Sequence, residues 1–463
     1  MGRSHKNGDE GGMRLQLLMR ALRSRNYRLF FAGQSVSLIG TWMQQVAMSW
    51  LVYRLTGSAF LLGVVGFVSQ IPTFLLAPFA GVLADRWDKR RLLIGTQTLA
   101  MLQAAALAFF VMSGVVQVWQ IIALSLVLGL VNTFDIPTRQ SFLVEMVDNR
   151  EDLGNAIALN SSMFNAARLI GPSIAGLVVA ALGEGICFIL NALSYLAVIV
   201  ALAAMRIRPH TVKQARRHIL HELREGLGYA FGFPPIRSIL LLIALVSLMG
   251  MPYAVLMPVF ARDILHGGPH TFGFLMAAAG CGALVSTVFL ASRKSVIGLG
   301  RLIVRATFIF GAGIMAFSLS ESLPLSLLFL CFIGFGAMAL VASSNTILQT
   351  IVDDDKRGRV MSLFTMSFIG MAPFGSIIAG VLADLIGARN TLLIGGASCL
   401  AGSALFAIIL PRIRQQIRPI YVKMGIINEV AAGMQTAAEL SVPPEEQCRS
   451  RSASHRESDN EIV

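Results

Sequence analysis

The sequence predicts an all-α membrane protein whose twelve spanning helices form two pseudo-symmetric six-helix bundles. Three observations carry this: too little charge for a water-soluble core, apolar runs of membrane-spanning length, and a segment of the first half that recurs in the second. Of the 463 residues, 55% are hydrophobic and 14% charged, whereas soluble domains carry roughly 25% charged residues. Leu107 to Val131 and Leu240 to Val259 hold no formal charge, and about 20 such residues let a helix cross hydrocarbon.

The elements follow from apolar runs and the polar breaks between them. Residues 1–26 are polar and basic and lead straight into the first run, so no cleavable signal is expected and the first span acts as its own insertion signal. The first bundle, residues 27–205, takes spans near Tyr27 to Tyr53, Ser58 to Leu83, Leu92 to Ser113, Val118 to Thr138, Gly154 to Leu182 and Gly185 to Met205. Residues 206–236 are too charged to cross. There Leu220, Leu223, Leu227 and Phe231 recur at spacings of three and four, which predicts an amphipathic surface helix linking the halves. The second bundle, residues 237–410, takes spans near Arg237 to Phe260, Thr271 to Ser292, Leu302 to Ser320, Leu323 to Gln349, Gly358 to Asp384 and Asn390 to Leu410. Residues 411–463 form a tail, rich in Ser, Glu and Arg from about Ser441 and expected to be partly disordered.

The halves resemble each other. Gly171-Pro-Ser-Ile-Ala-Gly176 followed by Gly183 matches Gly375-Ser-Ile-Ile-Ala-Gly380 followed by Gly387 at identical spacing, and each follows a loop containing Val-Asp, at Asp148 and Asp353. The fifth and eleventh spans are therefore expected to be equivalent. Parallel repeats of this kind place a binding site between the halves near mid-membrane.

Charge sets the orientation. Alternate loops are strongly basic, holding Arg14, Arg20, Arg23 and Arg25, then Arg86, Lys89, Arg90 and Arg91, then Arg206 to Arg217, and likewise at Arg293 to Arg301, Lys356 to Arg359 and Arg412 to Arg418. The opposite loops hold little beyond Arg54, Arg262 and Arg389. Basic loops stay inside, so both termini are expected in the cytoplasm. The net charge of +13 is dispersed between apolar segments rather than gathered on one wet face, which argues against a nucleic-acid partner. The five cysteines include no CxxC pair, so neither zinc nor a disulfide framework is indicated, and no metal or cofactor is expected.

Gly81-Val-Leu-Ala-Asp85-Arg86-Trp-Asp-Lys89-Arg90-Arg91 closes the second span. Gly81 admits a close helix neighbour, and Asp85 is placed to accept hydrogen bonds from the orphan amides at the start of the eleventh span. That contact would hold the cytoplasmic side shut. Asp135, in Asn132-Thr-Phe-Asp-Ile-Pro-Thr-Arg139, and the small-residue run Gly171, Pro172, Gly176 complete the gating set, with Pro172 expected to bend the helix and free a carbonyl. Arg168 falls about ten residues past the expected membrane entry, near mid-bilayer at 1.5 Å per residue. There it either attracts an anionic group or forms a fixed ion pair with Asp135. Gln34, Ser37, Thr41 and Gln45 form a polar stripe on the first span, and Asn132, Asn160, Asn165, Asn345 and Gln349 extend it from other helices. Each either lines a cavity or hydrogen-bonds between helices.

The loop after the second span resembles the cytoplasmic motif of the major facilitator superfamily, Gly-x-Leu-Ala-Asp-Arg-x-Gly-Arg-Lys, with Asp88 in place of its second glycine. The fifth span is similar to the motif that marks antiporters, whose glycine positions fall on Ala158, Ala167, Gly171, Ala175 and Gly176. Gly40 to Ala47, Trp50 to Gly57, Asn191 to Tyr195 and Arg357 to Met361 resemble the enterobactin-exporter-like branch, and the resemblance covers residues 27–410. It implies a multi-pass protein of the bacterial inner membrane, monomeric, that exports a siderophore or hydrophobic drug by alternating access in exchange for protons. Its partners would be that small molecule, protons and the lipid bilayer. In the family a fourth-span aspartate joins the loop motif, which implies that role for Asp135. A lysophospholipid flippase or a macrolide exporter is the alternative within the fold, and a non-transporting sensor or scaffold the alternative outside it. An enzyme is not expected, since no HExxH, Walker or GxSxG sequence is present.

Overall fold

The computed structural model describes residues 20–206, 219–293 and 295–425, with the side chains of 77–79, 81–86, 150, 219–224, 226 and 354–355 outside that description. Among the described residues all regular secondary structure is helical. The first half holds α1 (Arg25–Thr56), α2 (Ala59–Arg86), α3 (Lys89–Met112), α4 (Val118–Met146), α5 (Leu153–Leu182) and α6 (Glu184–Ala204). A linker helix, α7 (Ile219–Gly232), precedes a seventh span built from α8 (Pro234–Leu245) and α9 (Tyr253–Val259). The spans that follow are α10 (Pro269–Ala291), α11 (Leu299–Leu319), α12 (Leu323–Ile351), α13 (Asp354–Phe368) with α14 (Ala372–Ile386), and α15 (Ala388–Lys423).

Eleven of these spans are long and apolar enough to cross a bilayer. The twelfth is α1, whose 32 residues are ample in length but whose polar residues, Gln34 to Gln45, dilute its apolar character.

The ends are fixed by local chemistry. Gly57, at φ 62°, closes α1 through its amide to the Tyr53 carbonyl, and the Ser58 hydroxyl then caps α2 by accepting from the Leu61 amide. Asp88, the departure from the loop motif, serves as N-cap of α3, its carboxylate accepting from the Arg91 amide at 2.9 Å. Gly183 and Gly387 have φ of 84° and 86°, and each is the single residue between two antiparallel spans, α5–α6 and α14–α15. An L side chain is strained there. The fifth and eleventh spans thus end in the same turn, as the repeat predicts.

Three spans differ from expectation. The seventh is not one helix: π turns at Val246–Gly250 and Phe260–Ile264 flank α9, with Pro252 and Pro258 withholding amides between them. The eleventh breaks at residues 369–371, before Pro373, separating α13 from α14. The twelfth continues beyond Leu410 to Lys423, because Ile413, Ile417 and Tyr421 extend its buried stripe at four-residue spacing.

Within the first half, α1 packs on α5 and α6, α3 on α4 and α6, and α2 on α4; in the second, α11 packs on α12 and α15, and α10 on α12. The halves meet along two seams, α5 with α10 and α2 with α14. The linker helix docks on α13, with Glu225 2.8 Å from Arg359 and the Lys356 ammonium 4.6 Å over the Tyr229 ring. Leu227 and Phe231 are exposed on it, while Leu220 and Leu223 are outside the described side chains and the tail from Ser441 is outside the described residues.

Candidate functional site

Pro172 has no amide hydrogen, so the carbonyl four residues earlier, that of Arg168, loses its helical donor. Gly280 of α10 lies against that carbonyl: a Cβ on Gly280 would come within 3.0 Å of the Arg168 oxygen and 3.1 Å of the Leu169 Cα. The second half therefore approaches the first closely at the level of Arg168, midway along α5.

The Arg168 guanidinium is 5.9 Å from the centroid of the Trp42 ring on α1 and faces Tyr253, the first residue of α9 after the π turn. It has no carboxylate partner among the described residues. The ion pair with Asp135, one of two expectations for Arg168, is not formed. Asp135 is 3% exposed and bound within its own half, accepting from Thr96 at 2.9 Å and Gln97 at 2.8 Å, with Arg139 at 3.6 Å.

The basic loop is likewise committed locally. Lys89 bonds Glu145 at 2.7 Å, not Asp135, and Arg90 donates to the carbonyls of Leu202 and Ala203 at the end of α6. Both are thereby anchored inside the first half. Gly81, Asp85 and Arg86 lie outside the described side chains.

The polar stripe of α1 divides. Gln34 and Ser37 are buried, with the Gln34 Oε1 unpartnered, Thr41 donates to the Ser37 carbonyl, and Gln45 is exposed. Its neighbour Gln44, which sequence reading passed over, forms the polar knot: Gln44 Nε2 donates to Gln103 at 2.9 Å, and Asn191 Nδ2 donates to Gln44 at 2.7 Å. That knot joins α1, α3 and α6. Asn165 donates back to the Ser161 carbonyl, Asn345 and Gln349 bond each other at 3.1 Å, and Asn132 and Asn160 are half-buried. Of the cavity candidates, Arg168 is brought against residues of both halves, Trp42 of the first and Tyr253 of the second.

Small residues build the close contacts. A Cβ on Gly171 would meet the Trp42 Cβ at 2.5 Å, so Gly171 packs α5 on α1 within the first half rather than between the halves, whereas one on Gly176 would meet the Gly273 Cα at 3.0 Å across the α5–α10 seam. In the other seam a Cβ on Gly63 would meet the Ser376 carbonyl at 2.5 Å and the Gly380 Cα at 3.1 Å. Gly375, the repeat partner of Gly171, packs on the Leu248 carbonyl of the seventh span as Gly171 packs on the first.

Among the described residues, hydrogen bonds between the halves cluster at the face opposite the basic loops. Tyr53 donates to Asp263, and Arg262 donates to the Tyr53 carbonyl at 3.5 Å while lying 5.9 Å over its ring. At the α14 end, Asp384 accepts from the Ala59 and Phe60 amides at 3.0 and 3.3 Å and from the Ser58 hydroxyl at 3.1 Å. Sequence reading missed this contact, although a signal for it existed: Ala379-Gly-Val-Leu-Ala-Asp384 repeats Ala80-Gly-Val-Leu-Ala-Asp85 letter for letter.

Solved structures arrange their helices in the same way. A bacterial homologue of the human lysosomal transporter Spinster, in an inward-facing and occupied conformation, matches with a TM-score of 0.67 at 12% identity, over 83% of this chain and 96% of that one. The fold is that of the major facilitator transporters. More closely, the profile of the transmembrane secretion effectors matches residues 19–420, and the chain belongs to that family of efflux transporters. The staphyloferrin A transporter of Staphylococcus aureus is 26% identical over 386 residues, covering 82% of this chain and 96% of its own. Macrolide efflux protein A of Streptococcus pyogenes is 24% identical over 402 residues, covering 84% and 97%. Family and relatives are transporters of a multi-pass bacterial membrane class, not enzymes.

Proposed function

We propose that the chain exports an amphipathic, anionic small molecule of siderophore type from the cytoplasm, by alternating access and in exchange for protons. The carrying observation is Arg168. At the middle of a span, between the halves, its charge is met by the Trp42 ring and the Tyr253 hydroxyl rather than by an acid among the described residues. A guanidinium with no carboxylate partner among the described residues, in a low-dielectric setting, retains its attraction for an anion. The staphyloferrin relative supports a siderophore.

Orientation enters by the positive-inside rule: the basic face is cytoplasmic. On the other face Arg54 is held by Glu184 at 2.7 Å, Arg389 by Glu321 at 2.7 Å, and Arg262 by Tyr53. Among the described residues the cross-half hydrogen bonds lie on that extracytoplasmic face, which supports reading the conformation as closed there and open toward the cytoplasm. Gly176, packed on Gly273 of the other half, then acts as the outer seal, Gly171 holds α5 to α1 beside it, and Asp85 is the inner gate of the opposite state. Asp135, the most buried carboxylate among the described residues of the first half, is assigned the proton.

The test is proton release from acidified everted vesicles on adding a catechol siderophore or a cationic macrolide. Arg168→Ala raises the apparent Michaelis constant for the anion roughly 10- to 100-fold, as loss of a charge-assisted contact does, and leaves the macrolide within about threefold. Asp135→Asn abolishes proton release while substrate still binds. Equal effects of Arg168→Ala on both substrates would assign the arginine to packing. A response to macrolide alone would favour the second reading, macrolide export, for which the streptococcal relative speaks.

A further inference from the structure

Asp384 stands in the last turn of α14, where its own helix presents carbonyl oxygens and disfavours an anion. What holds it there is another helix. The first amides of α2 have no intrahelical acceptor, and Asp384 takes two of them, Ala59 and Phe60, together with the Ser58 hydroxyl. Ser58 in turn accepts from Leu61. The first three amides of α2 are thus satisfied, two of them by a residue of the other half. Such bonds exist only while the two halves touch at this face.

Asp85 stands in the corresponding place, in the last turn of α2, behind the same five residues, Ala-Gly-Val-Leu-Ala. The two helices run antiparallel in one seam, so the two copies lie at opposite faces. Gly380 of the outer copy provides the close approach, its Cα 3.1 Å from where a Cβ on Gly63 would stand.

The geometry points to Asp384 as an extracytoplasmic latch, the counterpart of the Asp85 gate, so that the α2–α14 seam is capped by a carboxylate at one end or the other in alternation. This rests on the alternating-access reading, and it adds a named residue that holds the inward-open state. The latch sets the balance between states.

The test is accessibility in whole cells expressing the full chain with its five native cysteines replaced and Ala59→Cys as reporter. Ala59 is 6% exposed against the capped turn. The readout is its rate of reaction with a membrane-impermeant maleimide. Asp384→Ala is expected to raise the rate by roughly 3- to 30-fold, the range a lost helix cap is worth. Asp384→Asn, which keeps one oxygen acceptor, is expected to raise it less, and Asp85→Ala to lower it. A parental rate in Asp384→Ala overturns the latch. A rate that does not fall in Asp85→Ala overturns the alternation. Should Asp384→Ala fail to fold, as judged by gel filtration and melting temperature, Asp384→Asn combined with Ser58→Ala takes its place with the same expected rise. Labelling reads conformation without substrate, so absence of flux for every compound tested, with the labelling pattern intact, would remove the substrate assignment and leave the latch standing.

Discussion

The two seams between the halves are built alike and charged differently. Gly176 against Gly273 in α5–α10 matches Gly63 against Gly380 in α2–α14, each bringing two helices to backbone contact. Yet the first seam carries a guanidinium at its middle, and the second carries a carboxylate at its end. Close packing is therefore common property of the repeat, whereas the polar residue placed on it decides whether a seam serves recognition or closure. Gly and Ala allow the approach without specifying what it is used for.

The sharpest way to break the comparison is steric. Gly273→Leu and Gly63→Leu should impair transport to a similar degree, by roughly 5- to 150-fold, since forcing a side chain into either contact strains the packing by about 1–3 kcal/mol. Initial rates in vesicles and melting temperatures in detergent measure both, and loss from one seam only would end the equivalence. A smaller effect sharpens the difference. Arg168→Lys keeps the charge but loses the planar stacking on Trp42, so the Michaelis constant for an anionic substrate should rise about 3- to 10-fold with kcat little changed. Smallest of all, Ser58→Ala removes one hydroxyl from the α2 cap and should raise reporter labelling about two- to threefold. It should leave substrate affinity untouched, which separates closure from recognition.

Much of this fold is legible in the sequence because its signals are local. Span length follows from apolar runs, and the Gly183 and Gly387 turns and the Gly171 to Gly176 contact follow from small residues at fixed spacing. The placement of Arg168 at mid-span follows from counting at 1.5 Å per residue. Partners were harder. Lys89 chooses Glu145 over Asp135, and Asp135 chooses Thr96 and Gln97, because each helix's rotation about its axis decides which side chains face each other. Gln44 and Gln45 make the same point: adjacent and chemically identical, they lie about 100° apart on the helix, and only Gln44 reaches Gln103 and Asn191. Asp384 was legible in principle, through the duplicated Ala-Gly-Val-Leu-Ala-Asp, but its role depends on a helix more than three hundred residues distant in sequence, which the repeat alone does not name.

The broken seventh span carries a consequence for phase. A π turn holds one residue more than an α turn, so each such turn rotates everything beyond it by about 100° relative to an uninterrupted helix. Tyr253 faces Arg168 from just beyond the turn at Val246–Gly250. Its azimuth is thus set by an inserted residue and not by the apolar pattern of Pro234–Leu245. Deleting a single residue within that turn would swing the phenol away from the guanidinium while leaving the composition and length of the span nearly as they were.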